Sequence, residues 1–134
     1  MNVPTATHEL VTMLKDDRPG ELAKAVTAIA NAGVNIDGYC ELEGELHVVT
    51  RDPDEAKKAL ETVGFAVDKR EIFVIDAEDK PGFLANVLRR ISAEEVNIIA
   101  TYSLARTRIA FSVDQPARIR EVLSELSPAS PRIR

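Results

Sequence analysis

Tryptophan is absent from this chain, cysteine occurs once, histidine twice, and aromatic residues make up only 4 % of 134 residues. Each shortage closes a class of function. Cys40 alone cannot form an intramolecular disulfide, and with only His8 and His47 beside it no Cys/His zinc cage can be assembled. A reducing, cytoplasmic setting is the expectation that follows. The sparse aromatics leave Phe73 and Phe111 as the only candidates for stacking nucleic-acid bases, without the glycine-aromatic-basic pattern of RNA-binding sheets. The net charge of −5 also argues against a protein that wraps nucleic acid. No apolar run approaches the ~20 residues of a membrane span. The segment Met1–Glu9 has no basic stretch followed by an apolar one, so no secretory signal is expected.

Catalytic signatures are missing as well. There is no glycine-rich phosphate loop, no nucleophile motif and no metal-ligand spacing. The paired acids Asp16-Asp17 and Glu78-Asp79 are adjacent beside turns, whereas general acid–base chemistry needs carboxylates across a cleft. The expectation is a protein with no catalytic residue, no metal and no cofactor.

What is present is 45 % apolar and 29 % charged residues, the balance of a soluble globular chain of one domain or two very small ones. The first 70 residues carry 13 acids and 8 bases, and the remainder carries 9 of each, eight of those bases being arginine. The strongest signal is internal repetition. Asp17-Arg18-Pro19-Gly20-Glu21-Leu22-Ala23 returns as Asp79-Lys80-Pro81-Gly82-Phe83-Leu84-Ala85, and Val34-Asn35-Ile36 returns as Val96-Asn97-Ile98, both at an offset of 62. Glu9 and Glu71, Ile29 and Ile91, and Asp52 and Asp114 keep the same offset without a gap.

Each secondary-structure reading is therefore made twice. Glu9–Leu14 and Glu71–Asp76 are short, almost continuous apolar runs, which suit buried strands. An Asp-x-Pro-Gly loop follows, where proline disfavours helix before it and glycine permits unusual backbone angles. Leu22, Ala25, Val26 and Ile29, and Leu84, Val87, Leu88 and Ile91, make one helical stripe each. Asn31-Ala32-Gly33 writes a helix stop in the first copy, and Ala93-Glu94-Glu95 writes a weaker one in the second. A hairpin comes next, Ile36–Glu43 with Glu45–Thr50 around Glu43-Gly44, with Cys40, Leu42, Leu46 and Val48 expected on the core face. Its counterpart is Ile98–Leu104 with Thr107–Val113. Asp52-Pro53 opens a second helix, and Asp114 with Pro116 opens the fourth. Phe65–Asp68 is expected to close the first unit as a strand. The matching Ser127–Ser130, with Pro128 and then Pro131, is a poor strand. The order is βαββαβ twice, an α+β chain of two ferredoxin-like units over residues 1–70 and 71–134, the second with a degenerate fourth strand.

The strand-Asp-x-Pro-Gly-x-Leu-Ala-helix pattern followed by Val-Asn-Ile resembles the ACT domain, and it occurs twice across residues 9–126. The resemblance implies tandem ACT modules with side-by-side antiparallel sheets and helices on one face. It implies a non-catalytic regulatory protein that binds a free amino acid and acts on a separate enzyme; a sheet face left exposed opposite the helices is expected to be covered by packing into a homodimer. In ACT proteins the ligand lies at a seam, between one module's loop and the start of the other module's second strand. Carried over with that exchange of partners, the loop Asp17, Arg18, Pro19, Gly20, Glu21 and Leu22 faces Asn97, Ile98 and Ile99 on the strand side. The loop Asp79, Lys80, Pro81, Gly82, Phe83 and Leu84 faces Asn35, Ile36 and Asp37.

Physical chemistry supports the loop independently. A tight turn feeding a helix N-terminus aims free amides at one spot, and the helix dipole attracts a carboxylate there. Plainer readings stand beside this one. The Pro-Gly pairs also serve as turn punctuation, Asp17 and Asp79 as helix caps, and Asn35 and Asn97 as loop-satisfying groups. His47 is expected to be an exposed polar residue and Cys40 a small core residue. Phe83 and Ile99, where the first unit has Glu21 and Asp37, either plug the second site or suit it to apolar ligands. A structural or adaptor tandem that binds a partner enzyme without a small ligand is the rival function.

Overall fold

The computed structural model of the protein describes residues 5–14 and 18–126. Strand β1 (Thr5–Met13) leads to helix α1 (Glu21–Asn31), the hairpin β2 (Ile36–Leu42) and β3 (Glu45–Thr50), helix α2 (Pro53–Thr62) and strand β4 (Val67–Asp76). Helix α3 (Phe83–Ala93), the hairpin β5 (Ile98–Leu104) and β6 (Arg108–Val113), and helix α4 (Pro116–Leu126) follow. The chain divides into two compact units, His8–Arg70 and a second formed from residue 71 onward together with Thr5–Thr7.

In the first unit the strand order is β2-β3-β1-β4, with β3 antiparallel to both β1 and β2. Leu10, Leu46 and Val48 on one sheet face pack with Ala25 and Ile29 of α1, Ala56 and Leu60 of α2, and Phe65. This is the ferredoxin-like arrangement of an antiparallel sheet backed by two helices. Part of the far face is buried too: Val11 is 5 % exposed and Val49 3 %, whereas Met13 is 58 % exposed and Leu42 71 %.

The second unit repeats the plan with the order β1-β4-β6-β5, in which the first residues of β1 stand in the fourth-strand position. The stretch 127–130, expected as a degenerate fourth strand, lies outside the described residues. Phe73, Ile75, Phe111 and Val113 pack with Phe83, Val87 and Ile91 of α3 and Ile119 of α4. The expected strand 65–68 is instead the start of the longer β4, which runs unbroken into the second unit; Phe65 belongs to the core before it.

The gapless offset of 62 holds for the Pro-Gly loops and α1 but not for the core faces. Leu10 and Val48 of the first unit occupy the places of Phe73 and Phe111 in the second, an offset of 63. The hairpin turns explain the shift in β6. Leu42 pairs with Glu45 across the two residues Glu43-Gly44, whereas Leu104 pairs with Arg108 across three, Ala105-Arg106-Thr107. Because side chains alternate with period two, one extra residue turns a strand over. The match of Glu9 with Glu71 is accordingly not structural. Glu9 is buried on the far face, while Glu71 meets Arg120 of α4 at 2.9 Å.

Local rules act as expected at most helix ends. Asp52 caps α2 by accepting from the Glu55 amide at 3.2 Å, with Pro53 at the first helical position. Asp114, expected as the equivalent cap, accepts instead from the backbone amide of Asn97 at 3.1 Å and its Nδ2 at 3.3 Å. Gly33 ends α1 with φ +77°, and Glu95 takes the same left-handed turn after α3 at φ +57°. Among the described residues no helix is long and apolar enough to cross a membrane.

Candidate functional site

Two features carry the most chemistry: the Pro-Gly loops with the strand starts, and a buried histidine that sequence reasoning placed on the surface.

Gly20 and Gly82 are the N-caps of α1 and α3, both left-handed at φ +92°. A Cβ added at either would meet nothing within 4 Å, so it is the backbone angle, not crowding, that calls for glycine. No side chain caps either helix among the described residues. Intrahelical bonding resumes with Lys24 N–H to the Gly20 carbonyl at 2.9 Å and Asn86 N–H to that of Gly82 at 3.0 Å. Glu21 N–H bonds the Arg18 carbonyl at 3.3 Å and Phe83 N–H that of Lys80 at 3.4 Å, so the first-turn amides left over are those of Leu22 and Ala23, and of Leu84 and Ala85, behind the exposed loops Arg18-Pro19-Gly20 and Lys80-Pro81-Gly82. Asp17 lies outside the described residues. Asp79 is exposed and makes no cap to α3.

The side chains after the glycines divide unexpectedly. Phe83, expected as an apolar wall for a ligand, sits in the core at 9 % exposure, and Leu84 is the one turned outward at 48 %. In the first unit Leu22 packs on the core and Glu21 is half-buried.

The strand starts hold paired irregularities. Ile36 pairs with Thr50 and Gly38 with Val49, which leaves Asp37 in a β-bulge; Ile98 with Val113 and Ala100 with Ser112 leave Ile99 in another. A bulge re-aims the extra side chain. It also turns over the rest of β2. Cys40 pairs with His47 and Leu42 with Glu45, which puts both on the far face, and Leu42 is 71 % exposed. Neither is on the helix-facing core as expected. Asn97 is tied to Asp114, as described above, whereas Asn35 reaches Asp37 Oδ1 only at 3.5 Å.

Within one unit the loop and the strand start do not meet. Leu14 N–H bonds the Gly44 carbonyl at 2.7 Å, and Ala77 N–H that of Thr107 at 2.8 Å, so each loop begins beside the hairpin turn. Ile36 and Ile98 pair at the opposite end of the hairpin, with Thr50 and Val113. β2 and β5 are edge strands of their units.

His47 is 6 % exposed, not on the surface. Its Nδ1 lies 2.8 Å from Glu9 Oε1 and its Nε2 2.9 Å from Glu45 Oε1. Glu9 is wholly buried. Two nitrogen–oxygen contacts need two protons, so the three side chains share a hydrogen-bonded chain from the interior to half-exposed Glu45. Its place opposite Val11, on the face away from the helices, agrees with Leu46 and Val48 lying on the core face; nothing in the sequence indicates that this face is buried here. Among the described residues no group of His, Cys, Asp and Glu is placed to hold a metal ion.

Comparison with known proteins adds the following. A family model described as an ACT domain pair matches residues 41–127. A crystal structure of a protein from Bacteroides thetaiotaomicron is similar at a TM-score of 0.82 and 30 % identity, covering 91 % of this chain and 89 % of that one. The regulatory subunit of aspartate kinase from Thermus thermophilus, in its ligand-free form, is similar at a TM-score of 0.69 and 19 % identity, covering 98 % and 96 %. The Thermus flavus regulatory subunit gives 0.64 and 21 %, covering 94 % and 96 %. At those identities the aspartate kinase likenesses carry the fold. No curated protein matches the chain in sequence.

Proposed function

The chain belongs to the ACT domain pair family, and from that premise we propose that it is a non-catalytic regulatory protein which binds a free L-amino acid and acts on a separate enzyme. The observation that carries the ligand is the uncapped first turn of α1 and α3 behind a left-handed glycine in an exposed loop. Such a turn offers unpaired amides and the positive end of a helix dipole to an α-carboxylate. The ammonium group needs an acceptor, and Asp37 in the β2 bulge is the acid at a strand start.

Loop and strand start lie at opposite ends of a unit, so a ligand that touches both takes them from different units. Because β2 is an edge strand, a second copy of the chain can supply the partner edge, and a homodimer is part of the proposal. Likeness in fold and length to aspartate kinase regulatory subunits supports a regulated enzyme as the further partner.

The test is a thermal-shift screen of the twenty amino acids at millimolar concentration. A ligand at 100 times its dissociation constant stabilises by ~2.7 kcal/mol, several degrees for a domain of this size. Asp37→Ala weakens binding by about ten-fold or more, the worth of one charge-assisted bond. Gly82→Val abolishes it because a β-branched residue does not hold the left-handed φ of +92° that aims the loop amides. If no amino acid moves the melting curve, the adaptor reading takes the lead, and a co-purifying enzyme identifies it.

A further inference from the structure

The far face of the first unit is buried at one end and open at the other. Glu9 with Val49, and Val11 with His47, are buried cross-strand pairs. The next row, beside the hairpin turn, is Met13, Glu45 and Leu42, in which Met13 and Leu42 are well exposed and Glu45 is half-buried. Exposed apolar side chains that stand together beside charge mark contact surfaces.

The strand order extends this row on its other side. Val67 packs with the helices and Lys69 meets Asp54 of α2 at 2.8 Å, so alternation sends Asp68 and Arg70 of β4 to the far face. There Arg70 lines one recess with Val11, Met13 and Glu45. Because β1 lies between β3 and β4, Met13 has an acid one strand away on one side and a guanidinium one strand away on the other. Neighbouring strands are about 4.8 Å apart in either direction. A two-fold axis along β1 at Met13 therefore sets Glu45 of one copy against Arg70 of another, and does so twice.

Both charges are suited to such a meeting. Glu45 Oε1 lies 2.9 Å from His47 Nε2, and His47 is itself held by buried Glu9. A carboxylate anchored in this way loses little side-chain freedom when a partner arrives. Arg70 lies 3.7 Å from Asp68 in an exposed pair, weak enough to re-form around a second acid.

We propose that this row is an interface with a second copy of the chain. Arg70 of each copy lies on Glu45 of the other, the two Met13 side chains fill the recesses between these pairs, and Leu42 borders each pair from one strand further out. An acid, an adaptable apolar side chain and a base in that order are complementary to themselves under a two-fold axis. The contact uses the open sheet face; it goes beyond the loop-and-bulge reading, in which copies meet at the β2 edge, and does not depend on it.

The test is sedimentation velocity on the full chain, with variants alone and mixed. Wild type associates reversibly, and added salt weakens the association. Glu45→Lys and Arg70→Glu each set like charges together in both pairs and weaken it by about ten-fold or more. An equal mixture of the two recovers it, because in a mixed pair the changed side chains meet each other and the native ones keep their native partners. Met13→Asp, at the axis, weakens association as well. Arg70→Glu and Met13→Asp leave the Glu9–His47–Glu45 chain in place, so they report on the contact even where Glu45→Lys impairs folding. A wild type that stays monomeric at millimolar concentration overturns the proposal. So does an association that neither Arg70→Glu nor Met13→Asp alters, which assigns the pairing to the β2 edge instead. A mixture of two folded variants that associates no better than either alone overturns it too.

Discussion

His47 is held between two carboxylates in the interior of the first unit, and the second unit shows what the same positions look like without them. By the strand registers, Glu9 corresponds to Ile72 and His47 to Ala110, an apolar pair in equally buried places. Removing one member of a buried hydrogen-bonded pair leaves the other unsatisfied, at a cost of about 1–3 kcal/mol, whereas replacing both by apolar groups is often nearly neutral. His47→Ala is therefore expected to lower the urea-unfolding free energy by about that amount. Glu9→Ile combined with His47→Ala recovers most of the loss. A double variant no more stable than the single one would mean that Glu9 contributes more than its bond to His47.

The two hairpins separate local from distant causes at the level of the element. Glu43 and Gly44 both have positive φ, +51° and +85°, as a two-residue turn between right-twisted strands requires. The longer turn places Arg106 at +62° and Thr107 at +53°. A β-branched residue is poorly suited to that region, and a left-handed L-residue costs roughly 1–2 kcal/mol. Thr107→Gly relieves the strain but adds freedom to the unfolded chain, about 0.4–1 kcal/mol in opposition. The net expectation is a rise in thermal midpoint of a few degrees, read by calorimetry, with the Ala77–Thr107 backbone bond unchanged. A fall in midpoint would show that the threonine side chain holds the turn in some other way.

The whole molecule depends on its first residues more than its composition suggests. Thr5–Thr7 belong to the unit that begins at Glu71, where β1 stands next to β4 in the strand order. Without them that unit would have an unpaired edge and three strands of its own. Deleting the residues before His8 is expected to speed amide exchange first in β4–β6 and α3, while the hairpin β2–β3 keeps its protection. Equal acceleration in both units would mean that these residues serve the fold as a whole rather than the second unit.

Features that depend on a few consecutive residues were legible in the sequence: the duplicated Pro-Gly loop, the helical stripes around Ala25–Ile29 and Val87–Ile91, the Asp52 cap and the Glu43-Gly44 turn. Their physics is local, and two copies of each gave two chances to read them. What only the tertiary structure decided was which way each strand faces. One more residue in the second hairpin turn, and one extra residue in each of the bulges at Asp37 and Ile99, invert the alternation of everything that follows. The bulge at Asp37 turned Cys40 and Leu42 to the far face, and the longer turn set β6 one residue out of step with β3. Alternation along a strand shows that two faces exist. Which one meets the helices is decided by pairing between strands distant in the chain, because only there does the burial of Leu10 against Leu60, or of Phe73 against Ile119, become available.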